Sequence, residues 1–466
     1  MMKRDFKKLI EELHEEYSLK FPDSASINKR AKNYLVDGGS HTLRLIQPFP
    51  PRIVSAGGAW VKDEDGHNIL DFWQGHLANI LGHNPKLITE EISEAFKRGL
   101  GLQLGLTDKL QLETAEILCK QTGAERVRFT TSGSLATMYS YFLSRAFTGR
   151  NLIMKMGGGW HGSQPWGLKG VKYHSNGNGH YNYVDSEGIP ETVTDEIIIT
   201  HFNDTNMLED RFKKHGERIA CLIIEPFLGT GGLIPASREY LQSCRDLTER
   251  WGAVLIFDEV ISGFRFHAGD LGSLYGIQPD LATFGKIMGG GMPVAAVAGR
   301  KDIMNLIGTE ENNRVSFSGG TFSSHPASLL AAKKMMTYLV ENEERIYPRL
   351  AVLGEKARKT MESAFLEQGI FARCTGYGND AIPGSSMVTL HFPLDENASM
   401  EDPENIFDPS VCDVTLGRDI FTLALLLENV HILKGHGAVS TAHTEEDLTF
   451  LGRACQKVAL RIRKYL

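Results

Sequence analysis

The chain has 466 residues, 42% of them hydrophobic, and a formal net charge of −7 from 50 basic and 57 acidic side chains. That is enough for a large buried core and for two or three domains. With no long basic block, it excludes the electrostatic footprint of a nucleic-acid or anionic-membrane binder and leaves small molecules as the expected partners.

The first 21 residues place Phe6, Leu9, Ile10, Leu13 and Tyr17 on one helical face between charged positions. Such a face predicts a helix docked on the body or on a partner subunit, not a signal peptide or a membrane anchor. The six cysteines, at 119, 221, 244, 374, 412 and 455, form no Cys-x-x-Cys pair and no short Cys/His cluster. They predict free thiols in a reducing cytoplasm and no metal site.

Short apolar runs at 126–130, 151–154, 219–224, 252–257, 281–284 and 294–298 alternate with amphipathic helical stretches. Strands apolar on both faces and separated by helices predict a mainly parallel sheet covered on both sides, with ligands at the loops that follow the strands. After the first of these runs, Thr131-Ser132-Gly133-Ser134 opens a helix. Its N–H groups and positive end suit a phosphate, although the same residues also make an ordinary helix cap. From about residue 330 long helical patterns (327–340, 344–367 and from 445 onward) predict a smaller α+β domain. The Asp-, Glu-, Asn- and Pro-rich stretch 393–410 predicts an exposed insertion or mobile loop. The expected divisions are 1–95, an N-terminal helix and segment contributing to the small domain; 96–330, the large cofactor-binding domain; and 331–466, the C-terminal small domain.

Asp258 ends the run Ala253-Val254-Leu255-Ile256-Phe257, and Lys286 follows Leu281-Ala282-Thr283-Phe284-Gly285 about one crossover unit later. An amine and a carboxylate delivered by two sheet elements are the minimum machinery for holding pyridoxal phosphate as a Schiff base and ionising its ring nitrogen. The ordered set Phe257-Asp258-Glu259-Val260-Ile261-Ser262-Gly263-Phe264-Arg265 and Asp280 to Pro293, with Phe284-Gly285-Lys286 at its centre, resembles the class III pyridoxal-phosphate aminotransferases. Within them it is similar to the group of glutamate-1-semialdehyde aminomutase and the β-amino acid aminotransferases, from Arg30 to the carboxyl terminus.

The resemblance implies a fold-type I transferase, with a mainly parallel seven-stranded sheet in the large domain and a smaller α+β domain. It implies pyridoxal 5′-phosphate as cofactor, Lys286 as Schiff-base lysine and proton shuttle, and Asp258 as counterion to the ring nitrogen. Ser132, Gly133 and Ser134 become the phosphate cradle, with Leu135 where the family usually has Glu. Trp160, in Gly157-Gly158-Gly159-Trp160-His161-Gly162, stacks on one ring face and Val260 packs on the other. His161 is either catalytic or a structural hydrogen-bonding residue. Glu225 and Asn203-Asp204 match positions lining the site. Thr321, in Gly319-Gly320-Thr321, reaches the phosphate of the neighbouring subunit, which makes the active unit a homodimer.

For the substrate, Gly38-Gly39-Ser40-His41-Thr42-Leu43-Arg44 resembles the segment that presents an arginine to a carboxylate, so Arg44 is the substrate-binding candidate. The loop 430–438 lacks the glutamate of the aminomutase's longer loop. Where β-amino acid aminotransferases carry an arginine it has Gly435, flanked by Lys434 and His436. This favours an aminotransferase moving an amino group from a β- or ω-amino substrate, a β-amino acid or a masked derivative such as a thioester, to a 2-oxo acid. An aminomutase and a noncatalytic binding protein with the same fold are the alternatives.

Overall fold

The computed structural model describes residues 6–175, 180–308, 314–317 and 319–466. An antiparallel meander, β1 (Ile53–Gly57), β2 (Trp60–Asp63) and β3 (Asn68–Asp71), precedes β4 (Arg126–Thr130), β5 (Leu152–Met156), β6 (Ile197–Thr200) and β7 (Ile219–Ile224). A hairpin of β8 (Phe227–Leu228) and β9 (Ile234–Pro235) leads to β10 (Val254–Glu259), β11 (Leu281–Phe284) and β12 (Ala295–Gly299). The chain ends through β13 (Arg373–Thr375), β14 (Met387–His391), β15 (Val430–His431) and β16 (His436–Ala438), interleaved with helices.

Seven strands form the central sheet in the order β4-β12-β11-β10-β7-β5-β6. β12 is antiparallel to both neighbours and every other pair is parallel. All residues of β5, β7, β10, β11 and β12 are buried, which is why these strands read as continuous apolar runs and not as alternating ones. The fourth strand of the sequence pattern extends two residues beyond its expected end, so Asp258 and Glu259 lie within β10. β6 went unnoticed in the sequence because its apolar core is only Ile197-Ile198-Ile199.

The N-terminal helix Lys7–Lys20 docks on the body, with Leu9, Leu13 and Tyr17 buried. Its last turn is anchored where Lys20 Nζ donates to the carbonyls of Leu427 (2.6 Å) and Leu426 (3.4 Å), at the negative end of the helix Phe421–Leu427. β15 then pairs with β3 in parallel, so a C-terminal strand completes the N-terminal meander.

The stretch 393–410 is not a free loop. Met400 and Ile406 are buried, 403–407 is helical, and Glu404 bridges His180 (3.0 Å) and His201 (3.1 Å). Two apolar anchors among many polar residues were enough to fold it down, and composition averages such anchors away. Among the described residues, no helix is long and apolar enough to cross a membrane and no group of three or more His, Cys, Asp or Glu could hold a metal ion. The cysteines are free.

Candidate active site

The carboxyl ends of β4, β5, β7, β10 and β11 open on the same edge of the sheet, the usual ligand edge of open α/β folds. Parallel pairing sets Asp258 of β10 directly beside Thr283 of β11. Thr283 Oγ1 donates to Asp258 Oδ1 at 2.9 Å, the Val260 N–H donates to the same oxygen at 3.2 Å, and His161 Nδ1 meets Oδ2 at 2.8 Å. Asp258 and His161 are both buried. Burial lowers the His161 pKa, with the Asp258 charge opposing it. A neutral ring donating from Nδ1 fits this arrangement, and its Nε2 is buried with no partner among the described residues. A Cβ at Gly159 would stand 3.0 Å from that Nε2, so the third glycine of the run makes room for the ring.

Lys286 begins the turn just past β11 with φ of 47°, half-buried. Burial brings its amine down to about 8, while the charges of Asp258 and Glu225 pull upward. At neutral pH such an amine exchanges its proton readily, as a nucleophile and proton shuttle requires. Glu225, just past β7, accepts from the Trp160 N–H (2.8 Å) and the Gly229 N–H (3.1 Å). Burial first, then the Asp258 charge, pushes its carboxyl up to about 8. Its contacts are to backbone, so it ties the loop after β5 to the loop after β7.

Ser132 caps the 16-residue helix Gly133–Thr148, its Oγ accepting from the Leu135 N–H at 3.4 Å. Ser134 Oγ accepts from the Ser163 N–H at 3.1 Å, and a Cβ on Gly162 would collide with it. Both hydroxyls thus shape the loop, leaving the first helical N–H groups as the anion donors. A Cβ at Gly133 would lie 3.0 Å from both methyls of Val260, and one at Gly285 would lie 3.5 Å from Val260 Cγ1. The structure therefore gathers the helix end, Val260 and the Lys286 turn in one place, with glycine at 133 where a side chain would press on Val260.

Four further candidates make no hydrogen bond to this cluster. Thr321 is exposed, and its carbonyl accepts from Gln103 Nε2 at 2.6 Å. Arg44 is exposed and donates from Nε to His76 Nε2 at 3.0 Å. Asn203 and Asp204 serve local structure: Asn203 bonds the backbone of Pro235 and Ser237, and Asp204 caps the helix Thr205–His215.

Sequence reasoning missed several groups around the site. Lys155, fully buried in β5, donates to the carbonyls of Gly159 (3.1 Å), Gly167 (3.0 Å) and Lys169 (2.7 Å) and so fixes the Trp160 loop. A lysine inside an apolar strand was a visible signal. Thr283 had none, because register is not written in local sequence. The carboxylate of Asp71, at the end of β3, accepts from His83 (2.7 Å), His431 (2.8 Å) and the backbone of Trp73 and Gln74 (both 2.9 Å). Burial acts upward on its pKa, but the bonds from His431 and His83 hold it well below the usual carboxylate range.

The residues present suit pyridoxal phosphate: an amine at a strand end, a buried carboxylate held by three donors, a glycine-walled space and a helix N-terminus for the phosphate. The family model of the class III aminotransferases matches residues 46–378. The chain is 32% identical to the glutamate-1-semialdehyde 2,1-aminomutase of Methanothermobacter thermautotrophicus, over 93% of this chain and 98% of that one. Among solved structures, an omega-transaminase from Sphaerobacter thermophilus superposes with a TM-score of 0.85 at 28% identity, over 94% of this chain and 98% of that one. A β-phenylalanine aminotransferase from Variovorax paradoxus gives 0.82 at 26%, over 97% of each. With its seven-stranded sheet and its strand-end lysine, the chain belongs to the class III aminotransferase family and uses pyridoxal 5′-phosphate.

Proposed function

We propose that the protein moves an amino group from a β- or ω-amino substrate to a 2-oxo acid, with Lys286 and Asp258 as its catalytic residues. The observation that carries the reading is Lys286 itself: a half-buried amine held near pKa 8 at the strand end next to Asp258. When bound, pyridoxal phosphate supplies an aldehyde for amines and a ring that accepts the electron pair left at the substrate carbon. Lys286 Nζ would hold that aldehyde and, once freed by a substrate amine, would carry a proton to and from the substrate's amino-bearing carbon. Asp258, oriented by His161 and Thr283, keeps the ring nitrogen protonated. The helix end at Ser132, Gly133 and Ser134 would bind the phosphate, Val260 and Trp160 would hold the ring faces, and Glu225 fixes the Trp160 backbone.

Residues 96–330 carry the cofactor in this reading, and residues 1–95 with 331–466 form the substrate-side domain; the pairing of β3 with β15 supports that division. Thr321 reaches the phosphate of a second copy. In support, Leu102, Leu104, Leu106 and Phe322, close to the Gln103–Thr321 bond, leave large apolar side chains exposed on the single chain. The amino donor is a β-amino acid, a reading supported by the likeness to the Variovorax β-phenylalanine aminotransferase, with Arg44 on its carboxylate.

A second reading is an aminomutase, favoured by the identity to relatives of that name across most of the chain. Against it, the turn between β15 and β16 is a tight one, with Lys434 and Gly435 both at positive φ and no carboxylate among its residues. Adding β-amino acids, their thioesters and glutamate-1-semialdehyde to holoenzyme without an oxo acid separates the readings. One carbonyl product per site with conversion to the pyridoxamine form supports the aminotransferase; continuous turnover of the semialdehyde without an acceptor replaces it with the aminomutase. A protein inert to every amine, yet retaining cofactor, would be a binding module.

A further inference from the structure

Past β3 the chain makes a left-handed turn. Gln74, Gly75, His76 and Leu77 have φ of 45°, 62°, 64° and 64°, and three of the four are not glycine. L-residues resist this conformation, and it persists only where neighbouring groups impose it, most often at functional sites. Both ends of the turn are clamped. At the entrance the Asp71 carboxylate accepts from the Trp73 and Gln74 N–H groups, while Gln74 Nε2 donates back to the Asp71 carbonyl at 2.7 Å. At the exit the buried guanidinium of Arg265 donates to the Leu77 carbonyl.

The side chain presented by this turn is His76, half-buried between the rings of His41 (4.5 Å) and Trp73 (4.9 Å). Its Nε2 lies 3.0 Å from Arg44 Nε. Arginine only donates, so the imidazole must accept there, which makes it neutral with its proton on Nδ1. Burial first, then the charges of His41, Arg44, Lys286 and His431, hold its pKa down at about 4, in agreement with the neutral ring. The turn packs against Lys286–Gly289, which puts it on the lysine's side of the site. Among the described residues, neither His76 Nδ1 nor the two terminal nitrogens of Arg44 has a partner.

We infer that His76 is a specificity-determining residue for a substrate carboxylate: by accepting the Arg44 Nε–H it orients the guanidinium so that both terminal nitrogens face the anion end-on, with Nδ1–H as an additional uncharged donor. The inference rests on the reading of Arg44 given above. It selects an amino donor with a free carboxylate over one whose acid is masked as an amide or thioester.

The test measures the affinity of holoenzyme for 3-phenylpropionate and for its neutral amide by calorimetric titration, with KM and kcat for β-phenylalanine beside them. Wild-type protein should prefer the carboxylate. His76→Phe, which keeps an aromatic ring but neither accepts nor donates, should weaken the carboxylate roughly tenfold and raise KM by a similar factor. Binding of the amide and kcat should stay within about twofold. His76→Gln, whose carbonyl can accept from Arg44, should recover most of the preference. Nitrogen NMR of the free holoenzyme should show His76 protonated on Nδ1. Equal losses for acid and amide in His76→Phe, or no loss in either, overturn the inference. If Arg44→Met abolishes the preference while His76→Phe keeps it, only the role of His76 fails. If the wild type shows no preference, or Arg44→Met leaves it intact, the Arg44 reading fails and the inference with it.

Discussion

The strand-end cluster and the rim that carries Arg44 and Thr321 are built on opposite terms. Asp258, His161 and Thr283 are buried and held by hydrogen bonds whose geometry follows from strand register. Arg44 and Thr321 are exposed, and each is fixed by one described side-chain or carbonyl contact. Under the proposed function the chemistry sits on buried, hydrogen-bonded strand ends, whereas recognition hangs on exposed segments outside the sheet.

If the division is real, effects should fall off from the cluster outward. Lys286→Ala should lower turnover by about 10³-fold or more while the fold is kept, read by single-turnover kinetics and circular dichroism; retained turnover would remove Lys286 from the mechanism. Asp258→Asn should cost roughly 10²–10³-fold in kcat, because the ring nitrogen loses its counterion. The pH profile comes next. With the Lys286 amine near 8, its neutral fraction rises as pH climbs from 7 to 9. Capture of pyridoxal phosphate by apoenzyme should accelerate about tenfold across that interval, and a flat profile in stopped-flow absorbance would contradict the assignment. The same lowered pKa has a sign for stability: between about 8 and 10.5 the unfolded chain binds more protons at this lysine than the folded one. This group's contribution therefore makes apoenzyme stability rise with pH in that window.

Lys155→Met should cost about 2 kcal/mol of stability, since three buried carbonyls lose their donor. Denaturant unfolding would reveal it, and an unchanged midpoint would mean that water replaces the ammonium. The smallest effect belongs to Thr321→Val, expected to weaken cofactor retention by roughly 2- to 10-fold in equilibrium dialysis with the half-reaction rate unchanged.

The site was legible in the sequence wherever chemistry is compressed into a few adjacent residues. Phe284-Gly285-Lys286 and Asp258-Glu259-Val260 announced themselves because a polar group at the end of a wholly apolar run has little reason to be there except function. The partnership of His161 with Asp258 spans 97 residues and depends on which strands are neighbours. Thr283 depends on register, and the left-handed turn at 74–77 depends on clamps supplied by Asp71 and Arg265. Ser132 and Ser134 read as part of a cradle of backbone N–H groups at a helix start, and their hydroxyls, which that reading leaves without a task, each accept a backbone N–H that shapes the loop. The polar stretch 393–410 keeps the exposed surface its composition suggests, but composition reports an average and hides Met400 and Ile406, which anchor it individually.

The bond between His431 and Asp71 joins residues 360 positions apart. During synthesis β3 emerges long before the strand and the histidine that complete its sheet and its carboxylate. Until they arrive, Asp71, which clamps the entrance of the turn that displays His76, lacks one of its donors, and such long-range closure is slow. The central sheet can assemble from residues between β4 and β12, but the network around Asp71 must wait for Val430 and His431 to leave the ribosome. A nascent chain halted before Val430 would therefore be expected to capture the cofactor while failing to distinguish one amine from another.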